Sequence, residues 1–382
     1  MKQIYLDNGA TSFPKAPGVG QAMKDYIEKV GVNVNRSSYR ATAEAALSTL
    51  NVREDLCTLF GGGIDPSYAI FTSGVTMSLN MIMKGVLRTG DHLIISGMEH
   101  NAVARPAMQL EAAGVSVSIA PCDETGVLRL TEFEKLFTPQ TRLVVIQYAS
   151  NVSGTIQPIA EIGAICRRHG ALFAVDSAQA AGHFLFNMQA LQVDAMCFTG
   201  HKGLLGPSGI GGFVMNEAMN KALTPLIAGG TGSMSASLEM PPTLPDRYEA
   251  GTPNLPGIMG LGVALRYLME VGPDALHKRE MALTNRFLDG LHGNSHIRVP
   301  GPVDAKGRVG VISVDFLRQD NAEVAFQLEE QYGILTRCGL HCAPLAHKTL
   351  GTYPEGTVRF SVGYTTTEDE VDTAIQAIHS LS

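Results

Sequence analysis

The sequence has no tryptophan, no long apolar run and no block of basic charge, and its six cysteines are scattered. The missing tryptophan excludes nothing, but the other shortages do. No segment offers the roughly 18 uncharged apolar residues of a transmembrane helix, so no membrane partner is expected. The opening Met1-Lys2-Gln3-Ile4-Tyr5-Leu6-Asp7 lacks the apolar stretch of about 7–15 residues found in secretory signals, and none is expected here. Formal net charge is −7 and 17% of residues are charged, so no basic footprint calls for nucleic acid. Cysteines at 57, 122, 166, 197, 338 and 342 are too dispersed for a disulfide scaffold. They point to a reducing, cytoplasmic location.

What is present is an ordinary globular composition, 45% hydrophobic over 382 residues. That length suits two domains, or one large domain with an appendage, and buries a core without staples. Apolar runs at 68–72, 92–96, 115–120, 143–148, 172–176, 195–199 and 210–215 read as strands. Helical patterns fall between most of them, for instance at 76–87, 102–113 and 160–169. Such alternation predicts a mostly parallel sheet covered on both faces. The runs Leu143-Val144-Val145-Ile146 and Leu172-Phe173-Ala174-Val175 are apolar throughout, as strands buried on both sides are. Turn signals gather at 229–257. Beyond them lie helices at 257–271 and 273–292, a strand at 309–315, a helix at 321–332, a strand at 357–362 and a last helix at 368–381. This tail predicts a smaller α+β domain.

Chemistry-bearing residues cluster at the carboxyl ends of the predicted strands, where open α/β sheets bind ligands. Taken singly, each has a plain explanation. Lys202, just past the strand at 195–199, reads as a solvated loop lysine. Asp176, closing the strand at 172–176, reads as a helix cap, with one strand-helix unit separating it from Lys202. Thr72-Ser73-Gly74-Val75-Thr76 reads as a capped helix start, or as an anion cradle. His100 reads as a surface histidine, with Asn151 and Gln179 on the same sheet edge. The combination is more specific than its parts. A lysine desolvated enough to form an imine, a buried carboxylate, a flat aromatic neighbour and a phosphate cradle fall on successive strand ends. A pyridoxal phosphate site requires these parts, its carboxylate holding the pyridinium charged.

The runs Ala174-Val175-Asp176-Ser177-Ala178-Gln179-Ala180 and Phe198-Thr199-Gly200-His201-Lys202-Gly203 resemble the class V aminotransferases. Nearly end to end the chain is similar to the cysteine desulfurases of the NifS/SufS type. Leu6-Asp7-Asn8-Gly9-Ala10-Thr11, Met98-Glu99-His100-Asn101, Ser150-Asn151-Val152-Ser153-Gly154-Thr155, Glu249-Ala250-Gly251-Thr252-Pro253-Asn254 and Gly339-Leu340-His341-Cys342-Ala343-Pro344 carry the likeness. The resemblance implies the α/β fold of pyridoxal-phosphate-dependent transferases of the aspartate aminotransferase type. A large cofactor domain would span 15–256. A small domain of 1–14 and 257–382 would carry the cysteine loop and a substrate-binding arginine.

It also implies residue roles. Lys202 holds the cofactor covalently, Asp176 meets the ring nitrogen, Gln179 meets the ring hydroxyl, and His100 stacks on the ring and helps move protons. Val75, Thr76, Thr199 and His201 bind the phosphate. Thr252 reaches the phosphate of a neighbouring subunit, which implies a homodimer with shared sites. Asn151 and Arg359 hold the substrate carboxylate, with Asn8 and Arg36 beside them. Arg359 suits that task because its planar fork binds carboxylates in a bidentate way.

Cys342 sets the implied reaction. As a thiolate it would take sulfur from L-cysteine, leaving L-alanine and a persulfide for a sulfur-acceptor protein. The short stretch from Cys342 to Arg359 is similar to the SufS-type branch, in which a less accessible persulfide wants a dedicated acceptor. Several readings stay open. The same fold serves selenocysteine lyases acting on L-selenocysteine, and other class V enzymes. A non-catalytic scaffold would not need Lys202, Asp176 and Arg359. Cys338, His341, Cys342 and His347 lie close enough to suggest a metal, but no second ligand pair accompanies them, so no metal is expected. A Cys338–Cys342 disulfide or sulfur relay is equally open.

Overall fold

A computed structural model describes residues 3–34 and 39–382. Arg36, one of the expected substrate contacts, lies outside the described residues. The large sheet has seven strands, in the spatial order Ala69–Thr72, Gly211–Met215, Ala195–Thr199, Leu172–Asp176, Thr141–Gln147, His92–Ser96 and Ser116–Ala120. Gly211–Met215 runs against both of its neighbours, and every other pairing is parallel. The reversal follows from chain length. Residues 200–210, with no helix among them, join it to the preceding strand, and a parallel return usually needs a longer crossover through a helix.

The inner strands of the sheet are dry on both faces. Leu143, Val144, Val145, Ile146, Phe173, Ala174 and Val175 are each 0% exposed. One face packs on Val75–Val86 and Asn101–Ala112 through Leu79, Ile82 and Val103. The other packs on Arg40–Phe60, Ile159–His169 and Leu255–Val271 through Leu56, Ile162 and Leu261. Burying each such side chain contributes about 1.5–3 kcal/mol.

One expectation needs correcting. The connection from Asp176 to Ala195 contains turns and no helix. Its Gly182 runs close against the Gly203–Leu204 backbone. A Cβ at Gly182 would stand 2.0 Å from the Gly203 carbonyl oxygen.

The C-terminal sheet is antiparallel and four-stranded, ordered Arg337–Gly339, Thr357–Ser361, Val311–Phe316, Ile297–Arg298. It packs through Phe360, Val314 and Ile312 against Pro273–Leu291, Asn321–Tyr332 and Glu368–Leu381. The last helix starts with a reciprocal cap between Thr367 and Glu370. Chain beginning and chain end meet here. Ile4–Tyr5 pairs in parallel with Ile334–Leu335, and Gly9 donates its N–H to the Ser361 hydroxyl. This crossing carries the N-terminal loop to the edge of the large sheet. There the His201 carbonyl accepts from the Ser12 N–H at 2.9 Å and from Lys15 Nζ at 2.8 Å.

Gly182 adopts a φ of +98° where an added methyl has no room. Gly182→Ala is therefore expected to destabilise the protein by roughly 2–4 kcal/mol, through overpacking and a disallowed backbone. A thermal midpoint equal to that of the parent would contradict this packing.

Candidate active site

The strand Leu172–Asp176 delivers Asp176 to the carboxyl edge of the sheet. Its carboxylate is buried and accepts the Ala178 N–H at 2.9 Å. Burial pushes its pKa up, against that hydrogen bond and the charge of Lys202. The neighbouring strand Ala195–Thr199 leads directly into His201 and Lys202. Burial draws the Lys202 ammonium down to about 8, while Asp176 opposes the shift and Arg359 and Arg337 add to it. An amine in that range is about one-tenth neutral at pH 7, far more than an ordinary lysine, and so can act as a nucleophile.

His100 sits at the head of the helix Asn101–Ala112. Its Nδ1 accepts the Ala102 N–H at 3.0 Å and caps the helix. The neutral ring therefore carries its proton on Nε2. Burial, followed by Lys202, Arg337 and Arg359, lowers its pKa to about 4. The imidazole is thus neutral and fixed in orientation. Behind it, Glu99 is wholly buried, and burial pushes its carboxyl up to about 8 against hydrogen bonds from the Ser96 hydroxyl and the Gln147 N–H.

The expected anion cradle is geometrically coherent. The helix Val75–Val86 has Gly74 at its N-cap and no side-chain cap. Its first N–H groups, at Val75 and Thr76, have no partner within the helix. Gly74 has a φ of +155°, and a Cβ on it would lie 3.7 Å from Thr199 Oγ1. The buried Thr199 hydroxyl thus faces the start of the helix. Burial and the nearby Lys202 and Lys15 lower the His201 pKa to about 4. Uncapped N–H groups, the positive end of a helix dipole and a buried hydroxyl suit a phosphate.

Arg359 occupies the middle of Thr357–Ser361 and is 1% exposed. Its Nη2 meets Asp7 at 2.7 Å and its Nη1 donates to the Asn151 carbonyl at 3.2 Å. Its Nε has no partner, and neither has the buried Oδ1 of Asn151. Asn151 Nδ2 donates to the His341 carbonyl at 2.7 Å. Asn151 therefore ties the arginine to the cysteine loop.

In that loop His341 and Cys342 both take left-handed backbone, with φ of 48° and 57°. That conformation costs a non-glycine residue about 1–2 kcal/mol. Two anchors hold it besides Asn151. The Cys342 carbonyl accepts the Asn101 N–H at 2.7 Å, and His341 Nε2 contacts Thr357 Oγ1 at 3.1 Å. Cys342 is an exposed free thiol, and Arg337 Nη2 lies 3.5 Å from its Sγ.

Arg337 is a site residue with no signal in the sequence. It lies directly across the sheet from Arg359. Like charges so paired are unfavourable unless an anion joins them, and no sequence pattern reveals that register. Asp7 and Lys15 were missed as well, although Asp7 lies in a motif noted above.

Among the other expected residues, Gln179 donates through Nε2 to the Gly9 carbonyl at 2.9 Å. Asn8 is engaged within its own loop, accepting the Phe13 N–H and donating to the Ser361 carbonyl. Thr252 is exposed on the rim of a separate cavity of about 540 Å³, shared with Ser73, Arg53 and Glu249. Cys338 is partly buried and unpaired. The His347 ring turns its Nδ1 to Thr352 at 2.7 Å. The residues fit pyridoxal phosphate: a nucleophilic amine beside a buried carboxylate, a neutral flat ring, an uncapped helix start, and an unpaired arginine Nε that awaits an anion.

The sequence model of the family described as aminotransferase class V matches residues 4–373. A probable cysteine desulfurase of Methanothermobacter thermautotrophicus is 32% identical over 96% of this chain and 92% of its own length. A cysteine desulfurase of Escherichia coli O9:H4 is 35% identical over 99% of this chain and 93% of its own. Among solved structures, the apo cysteine desulfurase of Thermococcus onnurineus NA1 superposes with a TM-score of 0.92 at 31% identity, covering 99% of this chain and 94% of that one. The cysteine desulfurase CsdA of E. coli, in its S-sulfonic acid form, gives a TM-score of 0.88 at 27% identity, with the same coverage. The chain belongs to the pyridoxal-phosphate-dependent class V aminotransferase family and, within it, to the cysteine desulfurases.

Proposed function

We propose that this protein converts L-cysteine to L-alanine and carries the sulfur away as a persulfide on Cys342. The observation that carries the reading is the exposed Cys342 thiol, held 3.5 Å from the Arg337 guanidinium and coupled electrostatically to Lys202. When bound, pyridoxal phosphate supplies a cationic ring that stabilises negative charge at the substrate Cα.

The chain's own residues supply the rest. Lys202 would hold the cofactor and would move a proton at the substrate Cα. His100 keeps its Nδ1 in the helix cap, so its part is to pack its neutral ring on the cofactor and offer Nε2–H. Asp176 pairs with the ring nitrogen, and Gln179 with the ring hydroxyl. Val75, Thr76, Thr199 and His201 hold the phosphate. The unpaired Arg359 Nε is the donor left for the substrate's carboxylate, with Asn151, Asn8 and Arg36 assisting. Cys342 attacks the substrate sulfur as thiolate. The new S–S bond forms as the Cβ–S bond breaks, and its electron pair is protonated at carbon, so cysteine and one thiol become alanine and one persulfide.

Further readings accompany this. The cofactor unit is taken as 15–256, with 1–14 and 257–382 as the unit that bears Cys342 and Arg359. The partner is a second copy of the chain, its Thr252 reaching the phosphate. Exposed Leu47, Leu50, Leu226 and Ile227 support such a contact. The pinned loop supports a sulfur-acceptor protein that comes to Cys342 rather than a loop that swings out. Six free thiols favour a reducing compartment, the cytoplasm. Among the described residues no helix is long and apolar enough to cross a membrane.

Cys342→Ala should keep the yellow cofactor and lose alanine formation from L-cysteine by about 100-fold or more, as removal of a nucleophile does. Sulfide release at the parent rate would overturn the reading. The pH dependence of cofactor capture provides a separate check. With its pKa lowered to about 8, Lys202 is mostly protonated below that pH and mostly neutral above it. The rate at which apoprotein takes up pyridoxal phosphate should therefore rise to a plateau above about pH 8. A rate still climbing tenfold per pH unit at pH 9 would show an ordinary lysine.

A further inference from the structure

Behind the cofactor lysine, away from the cysteine loop, lies a cluster that the reaction does not use. His277 and Glu280 are three positions apart on one face of Pro273–Leu291. His183 comes from the irregular connection after Asp176. Each offers one ligand atom, and the three atoms lie within 4.8 Å of one another; among the described residues this is the one such group.

Three observations set it apart from an ordinary polar contact. Glu280 is 4% exposed although it is a carboxylate. Its Oε2 is paired with His183 Nδ1 at 2.9 Å. The buried Nδ1 of His277 has no partner. Leaving a buried polar atom such as His277 Nδ1 unpaired is costly, and a third donor side chain within 4.8 Å of the His183–Glu280 pair points to a shared centre.

We propose that His183, His277 and Glu280 form a zinc-class divalent metal site. Two imidazoles and one carboxylate are a known three-ligand set for zinc, with the fourth position left to water. Imidazole donors also disfavour magnesium and calcium. Donors on one tetrahedral zinc lie about 3.4 Å apart at normal bond lengths. The cluster brackets that spacing, so side-chain shifts of about an ångström close it. A cavity of about 30 Å³, bordered by His183, Glu280, Gly203 and Lys202, has room for the water.

The site would act on position and carry no electrons. His183 Nε2 lies 2.8 Å from where a Cβ on Gly203 would be, and Gly203 directly follows Lys202. A metal there staples the connection that presses on the Gly203 backbone to a helix of the C-terminal region. The inference does not depend on the desulfurase reading.

The test uses the pyridoxal-phosphate-loaded protein in a Cys338→Ser/Cys342→Ser background, which removes the more exposed thiols of the cysteine loop as competing ligands. After equilibration with Zn²⁺ and gel filtration, metal content is measured by mass spectrometry. One equivalent per chain is expected, together with a thermal midpoint raised by zinc. His277→Gln and Glu280→Gln, each folded as judged by cofactor absorbance, should retain less than a tenth of that zinc and lose the shift. Zinc content unchanged in both variants, or no zinc retained by the background protein, would overturn the proposal.

Discussion

An excess of buried positive charge at the carboxyl edge of the large sheet governs this molecule. Lys202, Arg359 and Arg337 act on one another across the site, and Asp176 and Asp7 offset only part of that charge. Taking such groups out of water costs several kcal/mol each unless they are paired. The fold meets the cost in two ways. It lets Lys202 shed its proton readily, and it surrounds the remaining charges with places for anions. The uncapped helix start at Val75, the unpaired Nε of Arg359 and the Arg337 contact to the Cys342 thiol have a phosphate, a carboxylate and a thiolate as their natural complements. Substrate and cofactor thus complete an electrostatic arrangement that the protein alone leaves unfinished.

The same edge explains the backbone strain of the cysteine loop. Two consecutive non-glycine residues in left-handed conformation do not persist without external support. Here the support comes from elements of the candidate site: the helix that His100 caps holds the Cys342 carbonyl, and Asn151 holds the His341 carbonyl while bonding Arg359. The positions of Arg359 and of the Cys342 thiol are therefore mechanically joined. A thiol fixed this way is accurate in position and short in reach, in keeping with delivery to an acceptor that docks on it.

Much of this was legible in the sequence, because its parts sit at strand ends. A buried apolar run that stops in Asp176, followed by another that stops before Lys202, places both side chains on one edge without any coordinates. The two-sided burial of residues 143–146 and 172–175 could be read in the same way. What depends on register or distant pairing could not. Arg337 matters because it faces Arg359 across two strands, and Glu280 because it meets His183 through an irregular connection where a helix was expected. The turn-rich stretch 177–194 has the length of a crossover helix, and only the structure shows that it packs on Gly203 as turns instead. The reversed direction of Gly211–Met215 was likewise hidden, since an apolar run carries no sign of direction.

The central claim is that the site's charge and geometry converge on Cys342 as the first sulfur carrier. The most direct measurement is a single turnover of the pyridoxal-phosphate-loaded protein with L-cysteine and no reductant, followed by peptide mass mapping under non-reducing conditions. The account predicts one added sulfur on the peptide bearing Cys342, located at Cys342, in an amount equal to the alanine formed. Alanine formed in equal amount with the added sulfur on Cys338, or with Cys342 unmodified, would contradict it.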